Sequence, residues 1–186
     1  MDKIIARCKE GDISAQSILY EKYVSKVLRT AFLLCKNKDL AEDITQETFI
    51  RVFSKINTFI GESHSFDSWI YSVTLNVAKN TFRKQKLLNF FSSIDDHEEL
   101  KSPIIIEEGY EKKEREELLL AAINKLPYKF KEVIILKYYN DFSQEEIASI
   151  LNIPIGTVKS RINSALKKIK SNLNNNNSLE GVLDHE

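Results

Sequence analysis

Between Ile155 and Lys170 the chain carries five basic residues, Lys159, Arg161, Lys167, Lys168 and Lys170, and no carboxylate. A solvated helix face ordinarily mixes both signs of charge, so this one-sign run suits an anionic partner better than water alone. Ammonium and guanidinium groups neutralise phosphates, and the short side chains of Thr157, Ser160 and Ser164 can approach base edges in a groove. Thr157, Ser160, Arg161, Ser164 and Lys168 fall at i, i+3, i+4, i+7 and i+11, one side of a helix, with Lys159, Asn163 and Lys167 flanking them. The chemistry is non-covalent. A Gly-rich phosphate loop, a nucleophile–base pairing and a ligand-spaced His/Cys/Asp/Glu group are all missing from the sequence, so catalytic, metal and cofactor sites and a small-molecule substrate are not expected.

Two short helices around a tight turn must position these residues. Ser143 precedes an apolar-periodic run and Glu146 lies three residues on, a capping box that starts the first helix. Ile147, Ala148 and Leu151 bury one side of it, and Pro154 ends it by driving Ile153 out of the helical region. The second helix starts near Gly156 or Thr157, with Val158, Ile162, Ala165, Leu166, Ile169 and Leu173 as its buried stripe. Such a pair has the form of a helix-turn-helix reader of duplex DNA.

The N-terminal half predicts three helices. The first runs from Ile13 to about Leu34, apolar at 19, 20, 23, 24, 27, 28, 31 and 32. The second is capped by Asp39 with Glu42 as its partner and runs to about Ile56, with Leu40, Ala41, Ile44, Thr48, Phe49, Val52, Phe53 and Ile56 inside. Asp43, Gln46, Glu47 and Ile50 share its outward face at i, i+3, i+4 and i+7. A carboxylate metal site is a poor reading of that strip, because no histidine lies at helical spacing. A solvated acidic face and a docking surface for a basic partner both remain open, with Ile50 favouring docking.

Thr58 to Phe66 is predicted as a loop, and the third helix runs from about Asp67 to Lys86 with Trp69, Ile70, Val73 and Val77 inward. Ser72, Asn76, Lys79, Asn80, Arg83 and Lys86 form a polar, basic strip on its other side. Small polar residues of the loop, Ser63 and Ser65 among them, lie between Phe59 and Phe66 beside that strip. Such a set could cradle an unstacked base, or its aromatic residues could simply close the core.

Composition bounds the rest. The 186 residues are 42% hydrophobic and 29% charged, ordinary for a soluble globular protein of one or two domains. Five Gly, three Pro and a lack of strand-like alternation point to an all-α fold. Neither a membrane-length apolar run nor a signal-peptide pattern is present, so a cytoplasmic location is expected. Cys8 and Cys35 lack ligand-like spacing and are expected to be reduced. The formal charge is zero, yet 86–117 holds 10 acidic and 5 basic residues while 118–173 holds 9 basic and 4 acidic. Two helical domains, 1–86 and 118–173, joined by a flexible acidic linker at 87–117, account for this asymmetry. Phe90-Phe91 and Ile104–Ile106 give that linker places to dock. Residues 174–186, opening on four asparagines, are expected to be a disordered tail.

Three segments of the first half resemble the core of sigma domain two: Asp39-Leu-Ala-Glu-Asp-Ile-Thr-Gln-Glu-Thr-Phe-Ile-Arg-Val-Phe53, Phe66-Asp-Ser-Trp-Ile-Tyr-Ser-Val-Thr-Leu-Asn76, and Arg83-Lys84. Leu126-Pro-Tyr-Lys-Phe-Lys-Glu-Val-Ile-Ile-Leu136, Ile147-Ala148 and Ile153-Pro-Ile-Gly-Thr-Val-Lys-Ser-Arg161 resemble sigma domain four. Their order, with no third domain between them, is similar to the extracytoplasmic-function sigma factors of bacterial RNA polymerase, over about residues 12–173. The resemblance implies that Asp43, Gln46, Glu47 and Ile50 dock on the clamp helices of the largest polymerase subunit, with domain four meeting the flap. It implies that the 58–66 loop, with Ser63 and Ser65, together with Asn76, Lys79, Asn80 and Arg83, holds the melted minus-ten element. Thr157, Ser160, Arg161 and Ser164 would approach base edges of the minus-thirty-five duplex, and Lys159, Lys167 and Lys168 its phosphates. The acidic linker would thread toward the polymerase active centre. An anti-sigma partner, commonly membrane-anchored in this family, is implied as well. Ser164 stands where members often have arginine, which implies an altered promoter preference; Asn80 stands where many have aspartate, which leaves its role open. The reading from a different class is a stand-alone helix-turn-helix regulator, which binds its operator without polymerase.

Overall fold

In a computed structural model of the chain, residues 1–61, 63–91 and 110–183 are described, the side chains of 63–64, 88–91, 110–116 and 175–183 excepted. Every regular element among them is helical: α1 (Asp2–Lys9), α2 (Ile13–Cys35), α3 (Lys38–Lys55), a 3-10 turn (Ile56–Thr58), α4 (Ser63–Phe91), α5 (Tyr110–Asn124), α6 (Tyr128–Tyr138), α7 (Gln144–Leu151) and α8 (Ile155–Leu183). The chain falls into two compact units, one built on α1–α4 and the other on α5, α6, α8 and most of α7.

In the first unit α2 buries Ala15, Leu19, Tyr23, Val27 and Ala31, a single stripe repeating every fourth residue. Asp12 caps it, accepting from the Ser14 and Ala15 N–H groups at 2.9 and 3.2 Å. The Arg7 guanidinium, 2.6 Å away, holds the Asp12 carboxyl below the usual carboxylate range. The cap of α3 is Asn37, whose Oδ1 accepts from Leu40 N–H at 2.8 Å. Asp39, the predicted cap, instead lies in the first turn, because extended backbone at Asn37 starts the helix earlier. Ala41, Ile44, Phe49 and Val52 of α3 are buried, and so are Thr45 and Thr48. Those two threonines, and Thr74 of α4, donate to the carbonyls of Ala41, Ile44 and Ile70 at 2.7, 2.7 and 2.8 Å. Their burial therefore leaves no unpaired hydroxyl.

The predicted 58–66 loop is shorter, because Ser63, Ser65 and Phe66 already belong to the first turns of α4. Burial of Phe66 explains the difference. Its ring centroid lies 5.6 Å from that of Tyr23, 5.2 Å from Phe59 and 5.4 Å from Trp69. Tyr23 also donates its hydroxyl to Asp67 in the next position of the helix. Five residues beyond the predicted end at Lys86, α4 finishes at Phe91, and α5 starts at Tyr110, inside the span read as linker. Residues 92–109, including Ile104–Ile106, and the side chains of Phe90 and Phe91 lie outside the described residues.

In the second unit Ala122, Ile123 and Leu126 pack with Ile134, Ala165 and Ile169, bordered by Phe130, Tyr139 and Leu173. The capping box of α7 is closed in both directions: Glu146 N–H donates to Ser143 Oγ at 3.1 Å and Ser143 N–H to Glu146 Oε2 at 2.8 Å. The helix ends through Asn152 in the left-handed conformation (φ 51), with Ile153 N–H reaching Ala148 O at 3.0 Å. Pro154 acts on the following helix, its carbonyl accepting from Thr157 and Val158 N–H at 2.9 and 3.2 Å. Leu166 is 42% exposed, at the edge of the stripe formed by Val158, Ile162, Ala165 and Ile169. Leu173 does not end the helix as the reading of a tail from 174 expects, since the α8 backbone continues to Leu183. Replacing Ser143 by Ala removes one half of the box and is expected to cost about 1 kcal/mol in urea unfolding of the chain, with Glu146→Ala giving a similar loss.

Candidate nucleic-acid interface

Three outward helix faces carry the residues singled out in the sequence. On α3, Asp43, Gln46 and Ile50 are exposed, Ile50 by 63%. Glu47 is half-buried and accepts from Arg51 Nε at 2.7 Å, an i,i+4 pair with Glu on the N-terminal side. The strip thus presents an open carboxylate at Asp43, a partly neutralised one at Glu47, an amide and an apolar side chain. Exposure follows from the opposite stripe being spent on the core.

On α4, Asn76, Lys79 and Arg83 are exposed and Asn80 is half-buried. Buried Ile70, Val77 and Ala78 hold this face outward. At 1.5 Å per residue the span from Asn76 to Lys86 is about 15 Å of basic, hydrogen-bonding surface. Ser65 is half-buried in the first turns of α4, and the Ser63 side chain lies outside the described residues. Of the three aromatic residues near the loop, Phe59 and Phe66 are buried and belong to the core, leaving only the half-buried Trp69 with an accessible part. Ile60, between them in sequence, is 96% exposed.

On α8 Gly156, Ser160, Asn163, Lys167 and Lys170 are among the exposed residues, with Lys159 and Lys168 also exposed. The face is rotated from the one expected, because Thr157, Arg161 and Ser164 are only half-exposed. Arg161 makes the largest difference. Its Nη1 donates to Glu132 Oε1 of α6 at 2.9 Å, with side-chain exposures of 23% and 12%. Lys168 leans the same way, its Nζ 5.9 Å from the Phe130 ring centroid. The strip that faces outward most fully is therefore Ser160, Asn163 and Lys167, flanked by Lys159. A pair 29 residues apart in sequence leaves no periodic signal, which is why Arg161 reads as outward from the sequence alone. The eight-residue α1, which buries Ile5 and Cys8, is not among the helices expected from the sequence.

The family model for Sigma-70 region 2 matches residues 19–87, and that for Sigma-70 region 4 matches residues 116–169. The ECF RNA polymerase sigma factor SigW of Bacillus subtilis is 31% identical over 184 residues, covering 92% of this chain and 95% of that protein. The chain belongs to the extracytoplasmic-function sigma factors. The ECF RNA polymerase sigma-E factor of Haemophilus influenzae is 30% identical over 91% of the chain and 93% of that protein. Among solved structures, the sigma factor RpoE of Bartonella quintana, in complex with the anti-sigma factor NepR, superposes with a TM-score of 0.73 at 23% identity. That match covers 85% of this chain and 96% of that one, and it supports the same all-α fold. This sigma factor binds core RNA polymerase and promoter DNA and directs promoter-specific transcription initiation. Both regions lie in this chain and a sigma factor aligns over nearly its whole length, which removes the alternative of a stand-alone helix-turn-helix regulator. No helix among the described residues is long and apolar enough to cross a membrane.

The Arg161–Glu132 pair gives a prediction for this sigma factor. Arg161→Ala and Glu132→Ala should each destabilise the chain, and a double-mutant cycle in urea should return a coupling of about 1 kcal/mol. Loss of affinity for minus-thirty-five duplexes on Arg161→Ala should be equal across sequences. A base-reading arginine would instead relax preference at one position by about 1–3 kcal/mol.

Proposed function

We propose that the three outward faces divide the work of initiation among them. The α3 strip, Asp43, Gln46, Glu47 and Ile50, docks on the clamp of the largest polymerase subunit. Its open carboxylate, amide and exposed isoleucine suit a basic partner with an apolar spot, and this combination carries the assignment. The α4 strip, Asn76, Lys79, Asn80 and Arg83, with the segment at 59–61 and Ser65, holds the unpaired minus-ten strand. Strand separation is then trapped by binding, with cations on phosphates and amides on base edges. In the major groove of the minus-thirty-five duplex, Ser160, Asn163 and Ser164 of α8 approach bases while Lys159, Lys167 and Lys168 find phosphates. Thr157 and Arg161 act behind that face, Arg161 by fixing α8 on α6.

On this reading the functional division is residues 1–86 for polymerase and minus-ten DNA and 118–173 for the minus-thirty-five duplex and the flap. The chain supplies binding and no catalysis of its own, and it works in the cytoplasm. An anti-sigma partner is proposed from the complexes in which the RpoE relative was solved with NepR and CnrH with the cytosolic domain of CnrY. It would act by covering the same strips.

Asp43→Arg combined with Glu47→Arg reverses the charge of the α3 strip without touching a buried residue. The double variant should lose co-purification with core polymerase while keeping its helical circular dichroism. Normal co-purification would return the strip to an ordinary solvated face.

A further inference from the structure

The match to region 2 begins at residue 19, so α1 lies outside it. Yet α1 is firmly built in. Ile5 and Cys8 are buried, and the helix packs on α2 and on the 3-10 turn. Its junction with α2 is a left-handed turn at Gly11 (φ 84), closed by the Arg7–Asp12 ion pair whose carboxylate also caps α2. At the end of α1, Lys9 Nζ donates to the Phe59 carbonyl at 2.8 Å, and the same ammonium lies 5.6 Å from the centroid of the Phe59 ring. Two contacts from one cation thus fix both the backbone and the side chain of Phe59. The next residue is Ile60, fully outward, followed by Gly61, where a built Cβ would collide with Ser65 Oγ and come within 3.3 Å of the Phe59 ring.

We propose that α1, through Lys9, is a positioning element for the strand-holding segment 59–61. The ammonium fixes the direction in which Ile60 and the start of α4 meet unpaired DNA, so the segment is ordered before the strand arrives. Ordering it on binding instead would subtract the entropy of those residues from the affinity. Lys9 itself touches no DNA. The inference rests on the assignment of the α4 face to the melted minus-ten strand.

The test uses holoenzyme assembled from core polymerase and the Lys9→Met chain, in which the stem over Phe59 is kept and the donor and charge are removed. Affinity for a single-stranded minus-ten oligonucleotide is measured across a salt series, and promoter opening by permanganate reactivity. Oligonucleotide affinity should fall roughly tenfold, the effect of losing one charged hydrogen bond, with the slope against salt unchanged. Lys9→Arg should restore most of it, the thermal midpoint of the free chain should fall by only about 2–5 °C, and binding to a minus-thirty-five duplex should stay at the wild-type value. Wild-type oligonucleotide affinity in Lys9→Met would overturn the inference. So would a loss accompanied by a salt slope smaller by about one, the mark of a direct phosphate contact. Asn76→Ala with Arg83→Ala separates the two levels. If that pair weakens the oligonucleotide complex and Lys9→Met does not, the inference alone fails. If the pair leaves it intact, the α4 assignment fails and the inference with it.

Discussion

The ring of Phe66 is the joint on which the first unit depends. It is fully buried and touches Tyr23 of α2, Phe59 after the 3-10 turn, and Trp69 one turn further along α4. A side chain of this size contributes about 1.5–3 kcal/mol by burial alone, and aromatic contacts add to that. Its larger effect is geometric. With Phe66 inside, the rotation of α4 about its axis is set, so Asn76, Lys79 and Arg83 must face solvent together. The Tyr23–Asp67 hydrogen bond fixes the same turn from α2, and burial pushes the Tyr23 phenol well above its ordinary range, keeping it a donor. The polar face on one side of α4 is thus a consequence of aromatic packing on the other.

In the second unit the corresponding constraint is electrostatic as well as apolar. Val158, Ile162, Ala165 and Ile169 seat α8, and Arg161 pins its flank to Glu132 of α6. A guanidinium used in this way is turned from solvent, and the outward strip moves round the helix to Ser160, Asn163 and Lys167. Asn163 has two donors and an acceptor, while Ser164 is half-exposed and short. On the proposed reading, promoter preference rests on these few polar side chains, while the lysines position the complex without selecting sequence.

Features whose partners lie within a turn or two were legible in the sequence. Ser143 and Glu146 are three residues apart, and their box closes as the pattern requires. The α3 strip follows from helical spacing alone, because Ala41, Ile44, Phe49 and Val52 leave only one face for Asp43, Gln46 and Ile50. Family, fold class and function followed from two motif sets in a fixed order. What sequence periodicity did not reveal depends on contacts between distant residues. Arg161 meets Glu132 and Phe66 meets Tyr23, each pairing overriding a local expectation, and Lys9 meets Phe59 where the sequence offered none. The shortened loop before α4 and the rotated face of α8 are the results. Asn37 in place of Asp39 as the α3 cap is a smaller case, in which two good capping residues competed and backbone conformation chose between them.

We propose that an acidic strip on α3, a basic strip on α4 and a basic face on α8 serve one initiation event on polymerase. Run-off transcription with core RNA polymerase on a promoter library, read together with permanganate reactivity, tests it most directly. Transcripts and melted minus-ten DNA are expected on a narrow class of promoters only when core and this chain are both present. Tight, sequence-specific binding to duplex DNA by the chain alone, with no core-dependent opening on any promoter, would contradict it.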